Sequence, residues 1–396
     1  MKRKTTRFAP FTSPACMSVA VVAAFTFGSS ALAAPLYWDG NDIAAGAGDT
    51  ALLLNKVWGT DAVWNSDLAG VTNTFTAATT VADDLFFVAG PSAISGQVAF
   101  NPTVTGTQSA NSITFQSSGA QTLSGGAINL GAGGLVGSQY AYGTTARGAV
   151  TISSAVALLA NQSWVNNATT AITVSGAVSG TGFGITKAGT GSLTLSVANS
   201  YSGTTSILAG TVFAGSSTSF GAATDDVLLG NTSGAANAAM TMGGTNISLS
   251  RNVTVQSGNT GTMTLNAGAG TSSFTGKLTL GSAGVGHNVT LSGAGAQNGG
   301  GFTGIIADPT GLTGPAGVVT FNQTFNINSF GNANSTFSGG ISFNNVNSGN
   351  NNNFVAFNAG NIFGTGPVTI NGLITRQSGS NNITGTNNQI WNGDWT

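Results

Sequence analysis

Beyond residue 90, apolar and polar residues alternate with a period of two in short runs. Ser112-Ile113-Thr114-Phe115, Ala171-Ile172-Thr173-Val174 and Ser192-Leu193-Thr194-Leu195 are examples. So are Asn246-Ile247-Ser248-Leu249, Asn252-Val253-Thr254-Val255, Thr262-Met263-Thr264-Leu265, Lys277-Leu278-Thr279-Leu280 and Asn288-Val289-Thr290-Leu291. In a strand, successive side chains point to opposite faces, so each run puts its aliphatic members on one side and Thr, Ser or Asn on the other. Each run is closed by Gly, Ser or Asn, which suit tight turns. The pattern predicts an all-β chain of four- to six-residue strands, with no helical periodicity of comparable length.

A sandwich, an up-and-down barrel and a solenoid all use many short strands. The series runs too far for one sandwich, and small residues crowd its turns. Similar dyads recur at related intervals: Met263 to Leu278 spans 15 residues and Val253 to Leu278 spans 25. Stacked coils explain this, each adding inward Val, Ile, Leu or Phe to one core while its backbone bonds to the coils on either side. The fold expected is a β-solenoid.

Composition sharpens the expectation. The chain has 396 residues, 60 of them Gly, and only 5% are charged, against about a quarter in an ordinary soluble domain. Every acid is Asp. Beyond the first seven residues the bases are Lys56, Arg147, Lys187, Arg251, Lys277 and Arg376. Long amphipathic helices and coiled coils lack their solvated faces here, and a nucleic-acid surface lacks its cations.

Lys2, Arg3, Lys4 and Arg7 precede the apolar stretch from Ala15 to Phe27, which is followed by Ala31-Leu32-Ala33. That order is the layout of a secretory signal peptide cleaved after Ala33, and the apolar stretch is short for a membrane span. Cys16 is the sole cysteine and falls within the signal, so the mature chain is expected to have no disulfide and no thiol chemistry. We divide the chain into a signal peptide (1–33), a Trp-rich capping segment (34–90), a β-solenoid (91–300) and an Asn-rich continuation (301–396).

One stretch is more specific. Gly182-Phe-Gly-Ile-Thr-Lys187-Ala-Gly-Thr-Gly191-Ser-Leu-Thr-Leu195 runs on through Asn199-Ser-Tyr201-Ser-Gly203 to Ile207-Leu-Ala-Gly210-Thr-Val-Phe-Ala-Gly215. It resembles the autotransporter-associated β-strand repeat, with Ile185 where Leu is usual and Val212 for a Leu. Ser109 to Gly137 looks like a weaker relative. Tyr37-Trp38-Asp39-Gly40, Val57-Trp58-Gly59 and Val63-Trp64-Asn65 resemble the N-terminal segment of the same proteins, and Asn388 to Trp395 resembles a motif of this group. The resemblance implies an exported right-handed parallel β-helix passenger at the Gram-negative cell surface, with adhesion or self-association as its role. Host-cell, matrix or glycan surfaces would be its partners. No barrel-like strand series is found in 301–396, so no translocator barrel is expected in this chain. An outer-membrane translocator would be encoded downstream or separately, and we expect a longer product.

Catalytic candidates are sparse. His287 sits at a turn before a strand. Asp83-Asp84 and Asp225-Asp226 are adjacent pairs, and each pair would put one carboxylate on each strand face. Asp308 is the acid nearest His287 in sequence. These would serve an Asp-based polysaccharide lyase or hydrolase, the alternative reading. Solvated turn residues are the simpler account, and no catalytic, cofactor-binding or metal residue is assigned. Gly131 to Gly134 and Gly299 to Gly301 lack the context of phosphate loops and read as turns. Trp38, Trp58 and Trp64 could stack on sugars or close the first coil, and we expect closure. Twenty of the 39 Asn fall in the last 75 residues, including Asn350 to Asn353, which predicts stacked Asn ladders. The Gly-rich interruptions argue against a regular flat Thr array.

Overall fold

The computed structural model describes residues 34–40, 55–87 except 73, 101–138, and 146–293 except 223 and 269. It also describes 301–345 except 324–326 and 333, then 355–357, 362–371 and 387–392. The signal-peptide residues 1–33 with Cys16, the run Asn350 to Asn353, and Arg376 lie outside the described residues.

The described chain is all strand and turn, wound into a β-solenoid. Strands that follow one another in space are parallel, and three ladders run along the stack. On one face Leu85 pairs with Ile113, then Leu135, Trp164, Lys187, Ile207, Leu229 and Val255 follow in register. On a second face the ladder runs from Gln121–Leu123 through Val150–Ile152, Ile172–Val174, Ser192–Leu195 and Gly210–Ala214. It continues through Ala238–Met242, Met263–Asn266, Val289–Ser292, Val319–Gln323, Ile341–Asn345 and Val368–Asn371 to Gln389–Trp391. A third, sparser face includes Ser248–Leu249, Ser273–Phe274, Gly301–Phe302 and Ile327–Phe330.

The alternation does what the sequence predicts. Val174, Leu195, Val212, Met240, Leu265, Leu291 and Phe321 point inward and are buried, while their neighbours face out. Inward aromatics stack coil on coil: Phe274 lies 5.4 Å from Phe302 and nearly parallel to it, and Phe321 lies 5.3 Å from Phe343. Each such pair contributes about 1 kcal/mol beyond its buried area.

Three details differ from expectation. The 25-residue step from Val253 to Leu278 is one coil, because the two are direct partners, but the 15-residue step from Met263 to Leu278 passes between faces within a coil. Two strands are far longer than six residues, Thr103–Phe115 and Gln121–Gly137, and they bend round corners at register shifts between Val104/Thr107 and Ala110/Ser112 instead of breaking. The ladder is also not wholly parallel. At its beginning Ala34–Trp38 pairs antiparallel with Trp64–Asn65, which pairs antiparallel with Phe75–Thr76. Trp38, Trp58 and Trp64 converge there at 0% exposure and pack edge-on, with centroids 5.1 and 5.4 Å apart, around Phe87. Trp58 Nε1 donates to Thr79 Oγ1 at 3.1 Å, so these rings are core and not a sugar platform.

Candidate binding surface

The coil that carries the most specific sequence shows what its motif does. Lys187 lies in an apolar column, between Trp164 and Ile207, and is 1% exposed. Its ammonium turns into the corner and donates to the carbonyls of Ala188 and Gly189 at 2.7 Å and of Ala209 at 3.1 Å. Burial pulls its pKa down to about 8. Asn199 ties three coils, accepting from Val178 N at 2.8 Å and donating to Ser219 O at 2.7 Å. Tyr201 is buried with its hydroxyl 2.8 Å from Thr205 Oγ1, and desolvation raises its pKa to about 12. The signature residues Lys187, Asn199 and Tyr201 are turned inward, so the motif builds a coil.

A second buried cation was not foreseen. Arg147, also 1% exposed, donates through its two terminal nitrogens to Gly148 O, Asn166 Oδ1 and Thr170 O at 2.5 to 3.1 Å. Asn166 in turn donates to Thr170 O and Ser192 O. Burial lowers the guanidinium to about 10, which leaves it cationic at neutral pH. For Lys187 the signal was present, because in Ile185-Thr186-Lys187 the lysine takes the inward phase. Arg147 precedes its strand and carried no such mark.

The candidate catalytic residues are dispersed, with Asp83 and Asp84 opening the strand Asp83–Phe87 and Asp225, Asp226, His287 and Asp308 lying between strands. Asp83 accepts from Thr80 N and Oγ1, and Asp84 from Asn111 and Ser112. Asp225 takes the hydroxyl of Thr204 on the preceding coil, whereas Asp226 takes that of Thr254 on the following coil. Arg251 donates to the carbonyls of Phe220 and Asp225, and burial is the main reason its pKa is lowered. Asp308 accepts from Ser338 N and Oγ. His287 has its ring nitrogens 2.7 Å from the carbonyls of Asn288 and Asn259. Among the described residues no group of three or more His, Cys, Asp or Glu is placed to hold a metal. Gly131 to Gly134 lie within the strand Gln121–Gly137 and do not form a loop.

The outward positions of the second face are ordered. Thr122, Thr151, Thr173 and Thr194 stack in register, and so do Thr264, Thr290, Thr320, Ser342 and Thr369. These are two separate runs of four and five coils, because Phe213 follows Thr194 in the first column and Ala239 precedes Thr264 in the second, so no single flat Thr array spans the stack. Beside it runs an amide ladder. Asn344 Nδ2 donates to Asn322 Oδ1 at 3.3 Å, Asn371 to Asn344 at 2.7 Å, and Asn392 to Asn371 at 2.7 Å. The corner entering this face is grooved. One recess of about 610 Å³ is lined by residues including Thr190, Thr211, Asn237 and Thr262. The next, about 480 Å³, shares Thr262 and adds Asn259, His287 and Asn288.

The family described as Passenger-associated-transport-repeat matches residues 185–212. The chain carries an autotransporter passenger repeat. The matched segment spans one full turn of the solenoid and the first strands of the next, since Ile185 pairs with Thr205 and Ser192 with Thr211. The passenger resemblance extends beyond this repeat. Over 393 residues the chain is 26% identical to a protein of Brucella suis biovar 1 (strain 1330) named "Adhesin BmaC autotransporter". That alignment covers 94% of this chain but only a tenth of the relative's length. No solved structure matches.

Proposed function

We propose that this passenger solenoid is a cell-surface stalk that adheres to other surfaces or to copies of itself, without turnover. The observation that carries the reading is the pairing of a transport-repeat coil with long uncharged columns of Thr and Asn on one exposed face. Such a face is a periodic recognition surface that is insensitive to salt. The relative named as an adhesin lends it further support. In this reading residues 1–33 are a cleaved signal, residues 34–90 cap the stack, and a translocator encoded downstream or separately carries the passenger to the Gram-negative outer surface.

The experiment is display of the full chain on cells that otherwise neither clump nor stick. Gain of autoaggregation or of attachment to host-cell, matrix or glycan-coated surfaces is expected. Displayed chain that changes neither property overturns the proposal. So does release of reducing or unsaturated sugars from a polysaccharide that is lost in D225N/D226N.

A further inference from the structure

We infer that the corner groove holds an extended, uncharged, β-linked glycan chain lying along the solenoid axis; the inference rests on the adhesive reading and names the partner for it. Three exposed residues precede register-matched strands. Ala238, Met263 and Val289 are partners in successive coils, so Asn237, Thr262 and Asn288 stand one above another along the groove. Asn237 Oδ1 accepts from Thr262 N at 2.8 Å, and Asn288 Oδ1 accepts from Val318 N at 2.8 Å. Both carboxamide oxygens are therefore held inward by the next coil, which turns both NH₂ groups to the solvent side. Coils stack about 4.7–4.9 Å apart, so the two donors are about 9.5 Å apart with a hydroxyl midway. That spacing is close to the repeat of an extended β-linked disaccharide, which would offer each NH₂ group the same oxygen in successive repeats.

Charge selects the same class of ligand. The groove is lined by hydroxyls, amides, Ala and Gly, together with Met263 and Pro315, and His287 is its one ionisable side chain. Polyanions would find no lysine or arginine there, and polycations no carboxylate. Two adjoining recesses of about 610 and 480 Å³, both open to solvent, leave room for a chain of sugar rings laid along them. Beside them stands Phe213, which faces outward in the Thr194–Thr241 column and is half-buried. It lies two residues beyond the groove residue Thr211. A single outward aromatic against a bank of hydroxyls and amides suits the apolar face of a sugar ring.

The test is co-sedimentation of the full chain with microcrystalline cellulose and with chitin in high salt. Retention on at least one is expected. N237D/N288D keeps both acceptor oxygens but replaces each NH₂ by a carboxylate oxygen, and retention should fall about tenfold or more, as expected for two lost hydrogen bonds. F213A should weaken retention as well. N246D adds the same kind of charge at a different corner, where Asp tolerates the positive φ of Asn246 and still accepts from Thr271; it should bind as the parent does. Failure of the parent chain to sediment with either glycan overturns the proposal, as does undiminished retention of N237D/N288D. If that failure comes with intact attachment by cells displaying the chain, adhesion stands and only the glycan falls. Dimers in the parent that N237D/N288D abolishes, without glycan retention, would assign the groove to self-association instead.

Discussion

Lys187 provides the sharpest test of how this solenoid is held together. Its ammonium is buried in an apolar column, and its folded pKa is about 8 against 10.5 for the ordinary side chain. A folded pKa below the unfolded one means that the unfolded chain binds more protons between those values. Stability from this group is therefore full above about 10.5 and is lost as pH falls through 8. Between pH 8 and 10 the linkage relation gives a gain of about 2 kcal/mol. The window stops at 10 because Tyr201, raised to about 12, begins to work in the opposite direction there. The perturbation is Lys187→Met, which keeps most of the stem and removes the proton. It also leaves the carbonyls of Ala188, Gly189 and Ala209 without their donor, at about 1 kcal/mol or more each where no water replaces it. Urea unfolding followed by far-UV circular dichroism at pH 8, 9 and 10 measures both effects. The parent chain should gain stability across the series while K187M stays flat. Parallel slopes in the two proteins would refute the assignment of Lys187 as a desolvated, carbonyl-bound cation.

Three further outcomes follow from the packing. Asn344→Ala removes the middle of the amide ladder and breaks three side-chain hydrogen bonds, two of them in the ladder, so it should cost about 1–3 kcal/mol, more than Asn392→Ala, which breaks one; urea midpoints rank them. A methyl group at Gly304 would stand 1.8 Å from the Gly276 carbonyl oxygen, so Gly304→Ala must push coils apart, whereas Gly182→Ala meets no atom within 4 Å and pays only for its φ of +80°, about 1 kcal/mol. Hydrogen exchange around each site should show long-range loss of protection only for the first. Trp58→Ala empties a fully buried site and should cost about 3–5 kcal/mol, and removal of residues 34–90 should cause aggregation by exposing the edge of the first coil. A soluble, monomeric truncation, shown by sedimentation, would count against the capping role.

Much of the fold was legible because a period of two leaves a strand only two faces. Each dyad from Ile113 to Leu291 named its own inward residues, and the burial follows them. The coil period was harder to read, because the intervals vary. Val212 to Met240 is 28 residues, Met240 to Leu265 is 25, and Leu291 to Phe321 is 30, since corners absorb insertions without disturbing the register. The groove was illegible for the same reason. Asn237, Thr262 and Asn288 become neighbours only once the 25- and 26-residue steps between them are known to be single coils. Arg147 was missed because an isolated basic residue in a turn reads as solvated, and only the fold reveals that its partners Asn166 and Thr170 come from the next coil.

The scarcity of charge follows from the same geometry. In a stack of coils the backbone of each rung is satisfied by its neighbours, and the outward side chains need only be polar. An ion pair on the outside would contribute little. Inside, a cation is tolerated only where several carbonyls converge, and the corners beside Lys187 and Arg147 supply them, with the Asn166 amide adding an acceptor for Arg147. Residues that would be catalytic candidates elsewhere are drawn into this role: Asp225 and Asp226 reach in opposite directions to threonines on the two adjacent coils. A carboxylate anchored to a different coil from its neighbour is poorly placed to act with it on one bond. What the design leaves free is the uncharged periodic exterior, and that is where the passenger has surface to offer a partner.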